Sequence, residues 1–84
     1  MDVEIRRQTP IEVVFDRVKY AQHTGAVFEL GGVSIRGAEI AACWLETLGA
    51  ALGNRTNLRV LFASGHMLVF SVDPHDGTAK RVTL

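Results

Sequence analysis

The chain is short of several things, and each shortage excludes something. Of 84 residues one is cysteine, two are proline, one is tryptophan and one is tyrosine. The lone thiol, Cys43, rules out an intrachain disulfide and any multi-thiol zinc site. Charge of one sign is not in excess: nine basic and nine acidic residues cancel to zero. A partner held mainly by bulk charge, such as a nucleic-acid backbone or an anionic membrane surface, is therefore not expected. Long apolar runs are missing as well. The richest, Ala38 to Leu52, is interrupted by Glu39 and Glu46 and is too short to span a bilayer. The start, Met1-Asp2-Val3-Glu4-Ile5-Arg6-Arg7, places acids before bases with no apolar segment behind them, so it does not read as a signal peptide. With a single thiol and no export signal, the expected location is cytoplasmic, where the Asn54-Arg55-Thr56 acceptor pattern is idle. Repeats, low-complexity tracts and linkers are also missing, so residues 1–84 are expected to form one domain.

What is present is apolar patterning. The chain is 48% hydrophobic and 21% charged, the balance of a folded domain. Val3 and Ile5 alternate with Glu4 and Arg6, which suggests a short first strand. Thr9 then suits a helix N-cap, Pro10 its first position and Glu12 the third position of a capping box. Ile11, Val14, Phe15, Val18 and Ala21 fall at i, i+3, i+4, i+7 and i+10, and Gly25 stands where a C-terminal cap belongs. The β-branched residues in this stretch also fit a strand, but caps at both ends favour the helix. Gly31-Gly32 between Val27-Phe28-Glu29-Leu30 and Val33-Ser34-Ile35-Arg36 is a tight hairpin signal. From Gly37 the spacing predicts a second helix through Leu52, closing at Gly53-Asn54. Ala41, Leu45, Leu48 and Leu52 would form its buried centre, with Trp44, Ile40 and Ala51 on the flank and Glu39 and Glu46 on the wet side.

The order strand–helix–hairpin–helix–strand resembles that of the HPr-like phosphocarriers over about fifty residues. The resemblance implies a phosphate carried on a histidine just before the proline that opens the first helix. Here Arg7-Gln8-Thr9 precede Pro10, and the first histidine is His23. The remainder departs from that family, with β runs where it has a third helix. Leu58 to Ala63 and Met67 to Val72 are joined through Ser64-Gly65-His66. Asp73-Pro74-His75-Asp76-Gly77 is turn chemistry, and Thr78 to Leu84 makes a last strand with Lys80 and Arg81 fit for an exposed edge. The expected fold is α+β: a mostly antiparallel sheet of about five to six short strands with two helices, in the order β-α-β-β-α-β-β-β. Both alternating sets of the Leu58–Ala63 and Met67–Val72 runs are apolar, so both sheet faces are expected to be covered. A dimer or a bound partner would supply the second cover. One helix per face, or a curled sheet, would do so equally well.

The residues that carry chemistry are scattered. His23, His66 and His75 have no metal-ligand spacing to one another or to Cys43, so neither a metal nor a cofactor is expected. The Asp73–Asp76 loop has a plausible acid–base or metal ligand set, yet a plain turn selects the same residues. Cys43, among alanines with no base nearby on its predicted helix, reads as a packed side chain. Ser34, Ser64 and Ser71 lie in no nucleophile-elbow context, and Gly31-Gly32 has no lysine after it to make a phosphate loop. Arginine outnumbers lysine seven to two, and residues 51–84 carry +2 against −2 for the rest. Arg6, Arg7, Arg55 and Arg59 would be the contacts of a nucleic-acid surface, the least favoured reading.

Interface residues stand out better. On the first helix Val13, Arg17 and Tyr20 line up on the face opposite the buried stripe, a hot-spot composition. Trp44 is a second candidate, and Leu61, Met67 and Val69 on the second sheet face are a third. The expected function is a non-enzymatic protein–protein interaction module, an inhibitor or accessory protein or a homodimer, acting on a larger partner. Compact α+β inhibitors encoded by phages and mobile elements, anti-CRISPR proteins among them, are similar in size and layout. The alternative is a phosphoryl or small-molecule carrier or enzyme subunit using His66 or His75.

Overall fold

The computed structural model describes residues 9–47 and 56–83. The expected strand at Val3–Arg6, the second half of the expected second helix (Leu48 to Leu52), and Arg6, Arg7 and Arg55 lie outside the described residues. The first element is helix α1, Pro10–Thr24. Thr9 caps it as its sequence predicts, its Oγ1 accepting the Glu12 backbone N–H at 3.3 Å. Gly25, at φ 78°, closes it by donating its N–H to the Ala21 carbonyl at 2.8 Å. Val14, Val18 and Ala21 are its buried residues, the centre of the predicted stripe.

Strands β1 (Val27–Leu30) and β2 (Val33–Arg36) form the expected hairpin around Gly31-Gly32, both with positive φ. Such a turn matches the twist of the two strands. A single 3₁₀ turn, Gly37–Glu39, leads into β3, Ile40–Thr47. Then follow β4 (Thr56–Phe62), β5 (Met67–Val72) and β6 (Ala79–Val82). Over the described residues the result is an α+β fold with one helix, a 3₁₀ turn and six strands in two antiparallel sheets, one of order β1-β2 and one of order β3-β4-β5-β6.

The second helix is the correction. Ile40–Thr47 is a strand paired with β4 from Ile40↔Phe62 to Thr47↔Thr56. Its physical cause is long-range. As a strand, this stretch sets Cys43 beside Val60 and Leu45 beside Leu58, and it pairs what would otherwise be an open edge of β4. Ala41, the expected centre of a buried helical stripe, is exposed at a register shift between Ile40 and Ala42. Ile40 and Trp44, expected together on one helix flank, separate: Ile40 enters the core, and Trp44 shares a sheet face with Arg59. The order that resembled the phosphocarriers goes with the helix.

The core lies between α1 and one face of the larger sheet. Val14 and Val18 from the helix meet Ile35, Ile40, Leu58, Val60, Phe70 and Val72. Phe70, Leu58 and Val60 are fully buried, each contributing about 1.5–3 kcal/mol of transfer free energy. The hairpin closes the rim, with Phe28, Leu30 and Val33 packed on this cluster. Gln22 ties helix to sheet where β3 is irregular, its Nε2 donating to the Ala41 carbonyl at 3.1 Å.

Candidate functional site

Alternation in β1 sends Phe28 and Leu30 inward and leaves Val27 and Glu29 exposed. Gly25, at φ 78°, turns the chain at the end of α1 two residues before β1 begins. Between them lies an open groove of about 370 Å³ whose lining includes Val13, Asp16, Arg17, Tyr20, Ala26 and Phe28. The predicted trio Val13, Arg17 and Tyr20 is thus brought together on one wall. The three exposed large apolar residues among the described ones are Val13 (43%), Tyr20 (67%) and Val27 (64%); the first two line this groove, and Val27 precedes its lining residue Phe28 in the chain. The β1 wall was not among the sequence candidates. The signal for it was present in the period-two alternation of Val27-Phe28-Glu29-Leu30 directly after a helix cap.

The other interface candidates also meet, in a way their sequence positions did not suggest. Register places Trp44 opposite Arg59, Arg59 opposite Val69, and Leu61 opposite Met67, so all of them share the sheet face turned away from the core cluster. Val69 is buried there, while Trp44, Leu61 and Met67 are half-buried. Arg59 organises this face. Its Nε donates to Glu46 Oε2 at 2.6 Å, and its Nη1 lies 3.3 Å from Met67 Sδ. Trp44 Nε1 donates to the other Glu46 oxygen at 3.3 Å. The Arg59 hydrogen bond, followed by that of Trp44, holds the Glu46 carboxyl below the usual glutamate range. Arg59, a contact under the disfavoured nucleic-acid reading, is thus half-buried and engaged by Glu46 and Met67.

The groups that could have carried catalysis are apart or already engaged. His66 lies in the turn before β5 and His75 in the turn after it, so the strand separates them. In the Asp73–Gly77 turn the carboxylates serve the backbone. Asp73 Oδ1 accepts from His75 N–H at 2.7 Å, and Asp76 Oδ1 accepts from Thr78 N–H at 2.8 Å and from the Thr78 hydroxyl. Those Thr78 bonds hold Asp76 below the usual aspartate range. No group of three histidine, cysteine or acidic side chains among the described residues could hold a metal. Cys43 is half-buried, its Sγ 3.9 Å from Gln22 Oε1, and burial pushes its thiol up against the opposing pull of Lys19. His66 borders a second open pocket of about 480 Å³ with Ser34, Arg36, Glu39 and Ser64 around Phe62 and Leu68. Arg36 there faces Glu39 at 3.9 Å. Among the described residues no helix is long and apolar enough to cross a membrane. Comparison with known proteins finds no matching family model, no matching curated protein and no matching solved structure.

Proposed function

We propose that this chain is a non-enzymatic protein-interaction module, an inhibitor or accessory protein that acts by occupying a surface of a larger partner. Its contact surface is the outward face of α1 with the adjoining strand β1. One observation carries the reading: the exposed apolar side chains Val13 and Tyr20 line a single groove together with Arg17 and Phe28. Tyrosine gives up little disorder for the area it buries, and tyrosine and arginine are enriched among the residues that dominate measured interface energies. An apolar floor with a few polar groups at its rim excludes water when a partner closes over it.

The test is photocrosslinking in a lysate of the organism that encodes the protein, with p-benzoylphenylalanine replacing Tyr20 or, as a control, Asp76. A single adduct band from position 20 and none from position 76 is the expected result. The Arg17→Ala, Tyr20→Ala double variant should bind the identified partner at least tenfold more weakly, about 1.4 kcal/mol or more. Equal adducts from both positions, or affinity unchanged by the double variant, overturn the reading. The carrier reading is favoured by one feature, the juxtaposition of His66 with Arg36, Ser34 and Ser64. His66→Ala separates the two: it should leave partner binding intact in an interaction module and abolish function in a carrier.

A further inference from the structure

We propose that the partner presents an extended segment which adds to the free edge of β1 as a third strand of the small sheet, with one of its side chains entering the groove. The proposal rests on the interaction reading and narrows it to one chemistry. In a two-residue hairpin the pair flanking the turn exchanges both hydrogen bonds, and bonded and non-bonded pairs then alternate. Leu30↔Val33 flanks the turn, so it and Phe28↔Ile35 are bonded pairs, while Glu29↔Ser34 and Val27↔Arg36 are not. The Gly37 N–H donating to the Ala26 carbonyl at 2.8 Å continues the same phase. The backbone N–H and C=O groups of Val27 and Glu29 therefore point away from β2. Among the described residues β1 pairs only with β2, so no described strand takes these groups. Phe28 is the β1 residue that lines the groove, and no β2 residue does.

An unpaired edge beside an apolar groove selects an extended peptide. Its backbone bonds to the edge, and alternate side chains enter the pocket. In an antiparallel arrangement the partner residue opposite Phe28 faces the groove, toward Val13 and Tyr20. The residues on either side of it lie opposite Glu29 and Val27 on the outer face. Glu29 has Ser34 as its cross-strand neighbour and makes no ion pair among the described residues, so its complement is a lysine or arginine. Val27 calls for a β-branched residue. The segment therefore reads, from its N-terminus, basic, large apolar, β-branched. A second copy of β1 does not meet this pattern, because antiparallel self-pairing about Phe28 would set Glu29 against Val27.

The test is titration of the ¹⁵N-labelled protein with a blocked peptide, Ser-Thr-Val-Lys-Leu-Val-Thr-Thr-Ser. The control is the same peptide methylated on the backbone nitrogens of the lysine and of the valine after the leucine. Saturable shifts of the Val27 and Glu29 amides, with slowed hydrogen exchange at both, are expected. The methylated peptide should bind at least tenfold more weakly. No saturable shift up to millimolar peptide, or equal binding of the methylated control, overturns strand addition. Val27→Pro removes an N–H that no bond within the hairpin uses, and it should abolish peptide binding while the amide spectrum stays folded. If Val27→Pro still crosslinks through position 20 as the unmodified chain does, the interaction reading stands and strand addition is wrong. If Val27→Pro does not fold, the methylated peptide decides alone.

Discussion

Gly37 shows how tightly one position is held. It is buried after β2, and a Cβ built on it would sit 2.0 Å from the Ala21 carbonyl oxygen and 2.8 Å from that of Ala26. Those atoms are backbone, at the end of α1 and in the turn that follows, and they cannot step aside without moving both. Gly37→Ala should therefore cost about 3 kcal/mol, read as a lowered urea midpoint at unchanged slope. Glu46 makes a different residue-scale prediction. Its folded carboxyl is held below the ordinary value of 4.5 by Arg59 and Trp44, so on acidification the unfolded chain takes up the proton first. The stabilising contribution is whole above the ordinary value and is lost as the pH falls through the folded one. Glu46→Gln should flatten that acid-side loss, seen by comparing urea midpoints at about pH 6 and about pH 3. For Cys43, burial raises the thiol pKa, so its reaction with a disulfide reagent near neutral pH should be slower than that of free cysteine and should accelerate on unfolding.

At the scale of elements, α1 depends on its caps as well as its stripe. Thr9→Ala removes the acceptor for the Glu12 N–H and should cost about 1 kcal/mol, measured by the same denaturation, while leaving the helix in place. This helix was legible because local signals agreed: Thr9, Pro10, the apolar spacing and Gly25 all point to one answer. The β1–β2 hairpin was legible for the same reason, since Gly31 and Gly32 supply positive φ between two alternating runs. β3 was not. Ala38 to Leu52 carries a helical spacing, and nothing within that window reveals that β4 stands ready to pair with it. Cys43 and Leu45 reach the core only through Val60 and Leu58, partners some fifteen residues away along the chain, roughly the separation of a long-range contact. The same blindness hid half of each candidate surface. Val13, Arg17 and Tyr20 could be aligned on a helix by counting, whereas their neighbour Phe28 comes from another element. Trp44 was singled out for its type but assigned to the wrong companions, and only the strand register sets it beside Arg59.

At the scale of the molecule, among the described residues, one helix and a hairpin cover one face of the four-stranded sheet, and the apolar residues on the other face are partly closed by the long side chains beside them. The alternation of β4 and β5 correctly signalled two apolar faces; it could not say how the second is finished. Arg59 and Glu46 give the answer at residue level. Each satisfies the other, Trp44 completes the Glu46 carboxylate, and the Arg59 guanidinium reaches toward Met67 across a face whose centre is the buried Val69. Four strands about 4.8 Å apart and about 20 Å long give a face of roughly 400 Å² at most. That is well short of the about 800 Å² per partner that a stable dimer typically buries. The protein should therefore run as a monomer in light scattering at micromolar concentration. Trp44, its one tryptophan, should report the same state: half-buried, it should be open to acrylamide quenching, with an emission maximum that does not move as concentration rises. Leu61→Lys should leave both readings unchanged, since Leu61 is half-buried near the end of β4 and a lysine there can keep its ammonium in water. A doubled mass together with a blue-shifted Trp44, both reversed by Leu61→Lys, would instead make this face a homodimer interface and free the α1–β1 groove to engage a separate partner.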